Sequence, residues 1–303
     1  MASSVVDAGA VRADVDELVP TGKGYGERPA PGPGPGQGAG QGQGQPQGQG
    51  KPSGSSSNNG IFYHGGPVML GTPNVYYIWY GDWTGNSATT LLTNLAQHIG
   101  GSSYLNINST YYNGSNAHVS GLARYVNSAT DSYSRGTTLT DAGVQAVVAS
   151  AVASNALPLD SNGVYFVLTS ADVNESSGFC TQYCGWHTHG TITGTDIKFA
   201  FVGNPDRCPS ACAEQTTSPN GNTGADGMAS IISHELEEAI SDPDLNAWYD
   251  RRGQENADKC AWTFGNTTTL KSGAQYNVTL GGTNYLIQQN WVNASGGYCS
   301  MTF

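Results

Sequence analysis

The spacing of hydrophobic residues predicts strands and helices that alternate along the chain. Residues 74–80, 163–169 and 197–202 are short runs rich in β-branched and aromatic side chains, which is typical of strands. Residues 88–99 and 141–154 instead repeat leucine or valine at helical spacing, each after a Ser or Thr that is suited to cap a helix. This alternation predicts an α/β core.

A third helix is predicted over residues 227–241, and the chain changes character after it. The helix is expected to end before Pro243, because the residue that precedes a proline disfavours the helical conformation. Short β-type runs at 276–280 and 285–289, separated by Gly-Gly, follow in the C-terminal part. We therefore predict one mixed α/β domain over residues 61–303 with a β-rich C-terminal part.

The first 60 residues have a different composition. From residue 31 to residue 50 the chain contains only Gly, Pro, Gln and one Ala, and a Ser/Asn/Gly stretch follows. Such a segment buries too little apolar surface to offset the entropy lost on ordering it. Residues 1–60 are predicted to be a disordered tail.

The charge of the chain narrows its possible partners. The formal net charge is −11, of which residues 1–60 contribute only −1. A domain this acidic argues against nucleic acid or an anionic membrane as a partner. We find neither a run of apolar residues long enough to span a membrane nor a visible signal peptide at the N-terminus.

Six cysteines lie in the predicted domain, and their even number favours three disulfides. We predict that two bonds join the Cys180–Cys184 segment to the Cys208–Cys212 segment, and that Cys260 pairs with Cys299. A zinc site made of four thiolates is the alternative, because the short spacings also suit structural zinc. An exported protein favours disulfides.

Six Asn-x-Ser/Thr sequences permit N-glycosylation without arguing strongly for it, since a chain so rich in Asn, Ser and Thr contains several by chance. The candidate sites are Asn108, Asn113, Asn174, Asn266, Asn277 and Asn293.

The third predicted helix carries the main candidate for chemistry, the sequence His234-Glu235-Leu236-Glu237-Glu238. Residues four apart share one helical face, so His234 and Glu238 can bind one cation, for which zinc is the first candidate. Glu235 occupies the position of the general base in the H-E-x-x-H helix of zinc proteases. Glu237 is interpreted as a solvated side chain.

A further metal ligand must come from another part of the chain. Glu255, 21 residues after His234, is the first choice, and Asp258 is the second choice or a residue that orients His234. His187, in a His-x-His pair on a predicted strand, and Asp244, beside Pro243, are weaker candidates. We find no nucleophile elbow, phosphate loop or dinucleotide fingerprint in a suitable context.

Several segments of the predicted domain carry a family resemblance. They are residues 63–68, 74–81, 164–170, 184–187, 202–204, 226–228, 234–236, 246–249 and 257–260. Together they resemble the phosphate-induced/EXORDIUM family of extracellular proteins, over most of the chain from Tyr63 to Phe303 and including the helix that carries His234 and Glu238. The resemblance implies secretion, residence outside the cell or in the cell wall, a zinc-protease-like core, and an extracellular protein or cell-wall component as partner.

Two functional hypotheses follow from the sequence. In the first, the protein is a metal-dependent peptidase in which His234, Glu238 and Glu255 hold zinc and Glu235 deprotonates a bound water. In the second, it is a non-catalytic protein of the extracellular matrix, cell wall or growth signalling, with a structural metal or none. Glutamate in place of the second histidine favours the second hypothesis, and a base at position 235 favours the first.

Overall fold

Five strands form the central sheet of the structure, a computed structural model that describes residues 18–23 and 60–303. The strands are β1 (Asn74–Tyr80), β2 (Arg124–Asp131), β3 (Gly163–Thr169), β4 (Gly185–Ile192) and β5 (Thr195–Val202). Their order across the sheet is β2-β1-β3-β5-β4. The first four strands in this order are parallel, and β4 pairs antiparallel with β5 at the edge.

The position of each strand in the sheet explains which strands the sequence predicted. β1, β3 and β5 are interior strands and are largely buried, so their sequences are nearly continuous apolar runs. β2 and β4 are edge strands that contain polar and exposed residues. Their weak hydrophobic pattern is the reason that the boundaries of these two strands were missed.

Three helices of more than two turns accompany the sheet in the described residues. They are α1 (Ala88–Ile99), α2 (Asp141–Ala153) and α3 (Thr223–Ser241). The Thr140 hydroxyl caps α2 by accepting a hydrogen bond from the Gly143 N–H. Helix α3 begins four residues before its predicted start, because the Asn222 side chain caps it at the Ala225 N–H. It ends before Pro243, as predicted.

Helices α2 and α3 lie on opposite faces of the sheet. A methyl group added at Gly185 of β4 would meet Ile231 of α3, and one added at Gly190 would meet Gln145 of α2. Residues an odd number apart on a strand face opposite sides. Helix α3 is covered around its whole circumference, since every residue from Gly224 to Ser241 is buried. The third predicted helix is therefore a central element of the fold.

Gly185 sets the distance between α3 and β4. A Cβ atom at this position would lie 2.4 Å from Ile231 Cγ2 and 2.9 Å from the Phe201 carbonyl oxygen. We expect Gly185→Ala to lower the free energy of unfolding by about 1–3 kcal/mol, because the packed helix must shift. Denaturant unfolding measures this change, and Gly194→Ala, at a positive-φ turn with open space around it, separates overpacking from backbone strain.

The other regular elements in the described residues are short pairs of strands and short helical turns. The C-terminal part is β-rich, as predicted. The predicted strand at 285–289 is wrong beyond Tyr285. The strand pairs are Phe62–Tyr63 with Trp248–Tyr249, Thr138–Leu139 with Asn174–Glu175, Thr268–Thr269 with Gln275–Tyr276, Val278–Leu280 with Thr283–Tyr285, and Asn290–Val292 with Tyr298–Ser300. The 3-10 turns are Leu105–Thr110, Pro205–Arg207 and Asp258–Cys260, and Pro209–Cys212 is a single α-helical turn.

Three disulfides bind the domain, and all six cysteines are used. Cys180 pairs with Cys208, Cys184 with Cys212, and Cys260 with Cys299. The structure therefore contains the predicted cross-links and leaves no thiolate for a zinc cluster. Two of the bonds join the segment before β4 to the segment before α3, the two elements that carry the site described below.

Residues 18–23 lie against the domain, although the composition predicted a disordered tail over residues 1–60. The remainder of that prediction lies outside the described residues. In the part of the chain that the structure describes, no helix has the length and hydropathy needed to cross a membrane.

Candidate metal centre

The described residues contain three groups of potential metal ligands, and two of these groups share Glu238 of helix α3. His234 Nε2 lies 3.0 Å from Glu238 Oε1, one turn along the same helix. Asp258, at the start of the 3-10 turn Asp258–Cys260, brings its Oδ1 to 3.6 Å from His234 Nε2. The backbone N–H of Asp258 donates to Glu238 Oε1 at 3.0 Å, which fixes the turn against the helix.

The second group forms around His187, which β4 directs toward α3. His187 Nδ1 lies 3.4 Å from Glu238 Oε2, and His187 Nε2 lies 3.5 Å from Glu255 Oε1. His187 Nδ1 also lies 3.3 Å from Glu235 Oε2. Glu238 thus turns one carboxylate oxygen toward each histidine. Each group offers three ligand atoms close enough to one another to share one cation.

The whole centre is enclosed by protein. His187, His234, Glu235, Glu238 and Glu255 are each 1% exposed, and Asp258 is 4% exposed. Burying one unpaired carboxylate costs several kcal/mol, so a buried group of four requires compensating positive charge or protons. The two imidazoles are the only side chains in the two groups that can become positively charged.

The pKa values reflect this concentration of charge. Burial alone lowers the pKa of His187, but Glu255, Glu235 and Glu238 outweigh burial and hold that pKa well above its usual value. Burial raises the pKa of Glu238, yet His234 and His187 together lower it to about 2. Burial raises the pKa of Glu255 well above its usual value, and nearby carboxylates add to that increase.

Two further buried carboxylates border the centre, and the sequence did not predict either. Glu237 is fully buried beside Asn290, so its interpretation as a solvated residue is wrong. Burial raises the pKa of Asp242 to about 6, although the N–H groups of Ala247 and Asn246 donate to its Oδ1 at 2.6 and 2.7 Å. Both carboxylates are buried because helix α3 is covered on all sides. Helical periodicity in the sequence does not reveal that burial.

The structure arranges the predicted ligands differently from the sequence-based grouping. Glu255 was expected beside His234, but it groups with His187 and Glu238. Asp258, the second choice, groups with His234. His187, one of the weaker candidates, lies at the centre of the second group. The two carboxylates were interchanged because a sequence spacing does not specify the direction of a loop side chain.

Asp244 lies outside this centre. Its Oδ1 is 3.1 Å from Lys198 Nζ and 3.7 Å from His189 Nδ1, in a partly exposed cluster that also includes Asp196. Lys198 also contacts the Asp196 carboxylate and supplies positive charge to both acids. Asp244 therefore belongs to a third group, with His189 and Asp196, and to neither of the two groups that share Glu238.

The six predicted glycosylation sites differ in exposure. Asn108 is fully buried, and its Nδ2, the atom that would carry a glycan, donates to the Glu237 carbonyl oxygen at 2.9 Å. That prediction does not fit the folded structure. Asn277 uses its Nδ2 in two backbone hydrogen bonds. Asn266 is exposed, whereas Asn113, Asn174 and Asn293 are half-buried.

Comparison with known proteins covers nearly all of the domain. Residues 61–301 match the family described as "Phosphate-induced protein 1 conserved region". Protein EXORDIUM-like 3 of Arabidopsis thaliana is 32% identical over 286 residues, which cover 82% of this chain and 84% of that protein. Protein EXORDIUM-like 5 of the same plant is 33% identical over 280 residues, covering 78% and 77%. Protein PHOSPHATE-INDUCED 1 of Nicotiana tabacum is 26% identical over 218 residues, covering 62% and 66%. No solved structure matches the chain.

Proposed function

Because the chain belongs to the phosphate-induced protein 1 family, we propose that it is a non-catalytic extracellular protein of the EXORDIUM-like type, stabilised by metal in its buried centre. Its partners are extracellular proteins or cell-wall components. The three disulfides support residence in an oxidising compartment outside the cell. The relatives support the family assignment, and the binding partner is to be identified by experiment.

The observation that carries the metal assignment is that four buried carboxyl groups and two buried imidazoles converge on one centre. Glu235, Glu238, Glu255 and Asp258 together bear four negative charges when ionised, and two protonated imidazoles would neutralise only half of them. Two divalent cations neutralise all four and leave both histidines free to bind metal in their neutral form. Imidazole and carboxylate ligands suit zinc, although manganese and iron accept the same donors.

The geometry supports one ion in each group, with Glu238 shared between them. Its two oxygens face different histidines at 3.0 and 3.4 Å. Glu255 completes the group of His187, and Asp258 completes the group of His234. If each group held a cation, Glu238 would be a ligand in both groups, and the centre would connect β4, α3 and the loop of residues 255–258.

Closure of the centre favours a structural role over catalysis. A catalytic zinc site keeps one position open for water and substrate, whereas a structural site is filled by protein ligands. Here every ligand side chain is almost completely buried. The metal would therefore hold the helix, the edge strand and the loop together, as the disulfides do nearby.

A metal-dependent peptidase is the second candidate. Glu235 lies next to a ligand at the position of a general base, and its carboxylate approaches His187. Helix α3 packs against a mixed sheet, as the predicted zinc-protease-like core requires, but no solved structure with such a core matches the chain. This candidate needs a route by which a peptide bond reaches the centre.

Glu235→Gln distinguishes the two functions, because it removes the base without removing a member of either ligand group. We expect the variant to keep its bound metal, and we expect neither wild type nor variant to hydrolyse unfolded casein or extracted cell-wall protein. Peptide release is measured with and without a chelator. Chelator-sensitive hydrolysis by the wild type that disappears in Glu235→Gln would establish the peptidase. Glu237→Gln, at a buried neighbour outside both groups, controls for the replacement of a buried carboxyl group by an amide.

A further inference from the structure

The short segment of residues 18–23 occupies the free edge of the central sheet. The His187 N–H donates to the Gly22 carbonyl oxygen at 3.1 Å, on the side of β4 that faces away from β5. At the other end of the segment, the Leu18 N–H donates to the Arg251 carbonyl oxygen at 3.3 Å. An edge strand offers unpaired backbone groups to which an extended peptide can bind.

Gly22 fits this position because of its size and conformation. Its φ angle is +69°, in the left-handed region that favours glycine. A Cβ atom at this residue would lie 1.8 Å from the His187 carbonyl oxygen. Any larger residue would force the segment away from the strand.

Lys23 fills a specific subsite beside this edge. Its Nζ donates to Asp141 Oδ2 and to Ser177 Oγ, both at 2.6 Å. The same ammonium lies 5.2 Å from the centre of the Tyr183 ring and 5.4 Å from the centre of the Trp186 ring. One carboxylate, one hydroxyl and two aromatic faces form a site for a lysine side chain.

A groove with a cavity of about 300 Å³ lies beside the segment. It is lined by Thr21 and Lys23 of the segment and by Trp186, Thr188 and Gln145 of the domain. The groove residues belong to the part of the chain that matches the family, residues 61–301, whereas the segment precedes that part. The groove therefore belongs to the domain, and the segment that binds in it, residues 18–23, comes from outside the family-matching part of the same chain.

We propose that residues 18–23 are a built-in ligand of a peptide-binding groove on the β4 edge, and that the groove also accepts an extended peptide with a Gly-Lys pair from another molecule. The attached segment competes with such a peptide, because a tethered ligand has the higher effective concentration. Docking of the segment thus keeps the groove closed. This inference does not require the centre to hold metal.

The test uses the full-length chain and a variant in which the segment is displaced. Gly22→Val combined with Lys23→Ala removes the close backbone contact and the ammonium. A fluorescent synthetic peptide with the sequence of residues 17–24 is titrated against wild type and variant. We expect at least about tenfold tighter binding to the variant. The same peptide with alanine at its lysine position should lose at least about tenfold in affinity.

Hydrogen exchange provides a second measurement that does not depend on the added peptide. The His187 amide should exchange faster in Lys23→Ala than in wild type, and at the wild-type rate in Lys271→Ala, which changes an exposed lysine elsewhere. Metal content is measured in the same samples and should not change. Equal peptide affinity for wild type and double variant, together with unchanged His187 exchange, would overturn the proposal.

Discussion

Glu238→Gln is expected to empty the buried centre and to destabilise the domain more than any other single substitution of a side chain in it. Glu238 belongs to both ligand groups, so its loss removes the shared ligand of both cations. Breaking a buried charged pair costs about 3–5 kcal/mol. For a domain of this size that cost corresponds to a decrease of about 10 °C in melting temperature. Calorimetry and elemental analysis of the purified variant measure the two effects.

Asp244→Asn is the matched control for this prediction. Asp244 is also an acidic residue near histidine, but it contacts Lys198 in a partly exposed cluster. Its replacement should leave the metal content unchanged and cost about 1 kcal/mol or less. Melting data alone do not separate metal loss from loss of the ion pairs that Glu238 makes with histidine. A Glu238→Gln protein with the metal content of wild type would contradict the assignment.

Removal of the Cys184–Cys212 disulfide is expected to have the second largest effect. The bond closes a loop with a sequence separation of 28 residues, and both cysteines are fully buried. The loop entropy corresponds to about 3–4 kcal/mol. The double substitution to serine also places two hydroxyls in an apolar core. Because Cys184 directly precedes β4, we expect metal to be lost from this variant at a lower chelator concentration.

The Cys180–Cys208 disulfide is an internal control with the same sequence separation of 28 residues. Both of its cysteines are half-buried, so its removal should cost the same loop entropy without the desolvation of buried hydroxyls. Urea unfolding of the two double variants gives the comparison. Equal losses of stability would show that burial of Cys184 and Cys212 adds nothing to the effect.

The interior of the fold could be predicted from the sequence because periodicity reports burial. The runs that became β1 and β3 and the bounds of α1 were predicted correctly. The edge strands β2 and β4 were not delimited, since polar and partly exposed residues interrupt their hydrophobic pattern. The cap at Asn222, which lengthens α3 by one turn, was also missed.

Only the part of the candidate centre that lies on one helix could be predicted from the spacing of residues in the sequence. Residues four apart on a helix place His234 and Glu238 together whatever the rest of the chain does. Whether Glu255 lies beside His234 or beside His187 depends on how β4 and the loop of residues 255–258 pack around α3. That packing is a long-range property, and no motif spacing encodes it.

The number of metal ions bound to the native protein shows whether the buried centre is a metal site. Protein prepared without chelators is examined by native mass spectrometry and by elemental analysis of the same sample. We expect about two divalent ions per chain, since two cations neutralise the four carboxylates of the centre. About one ion would restrict the metal to a single group, and protein that folds with less than about 0.1 ion per chain, even after incubation with zinc, would contradict the claim.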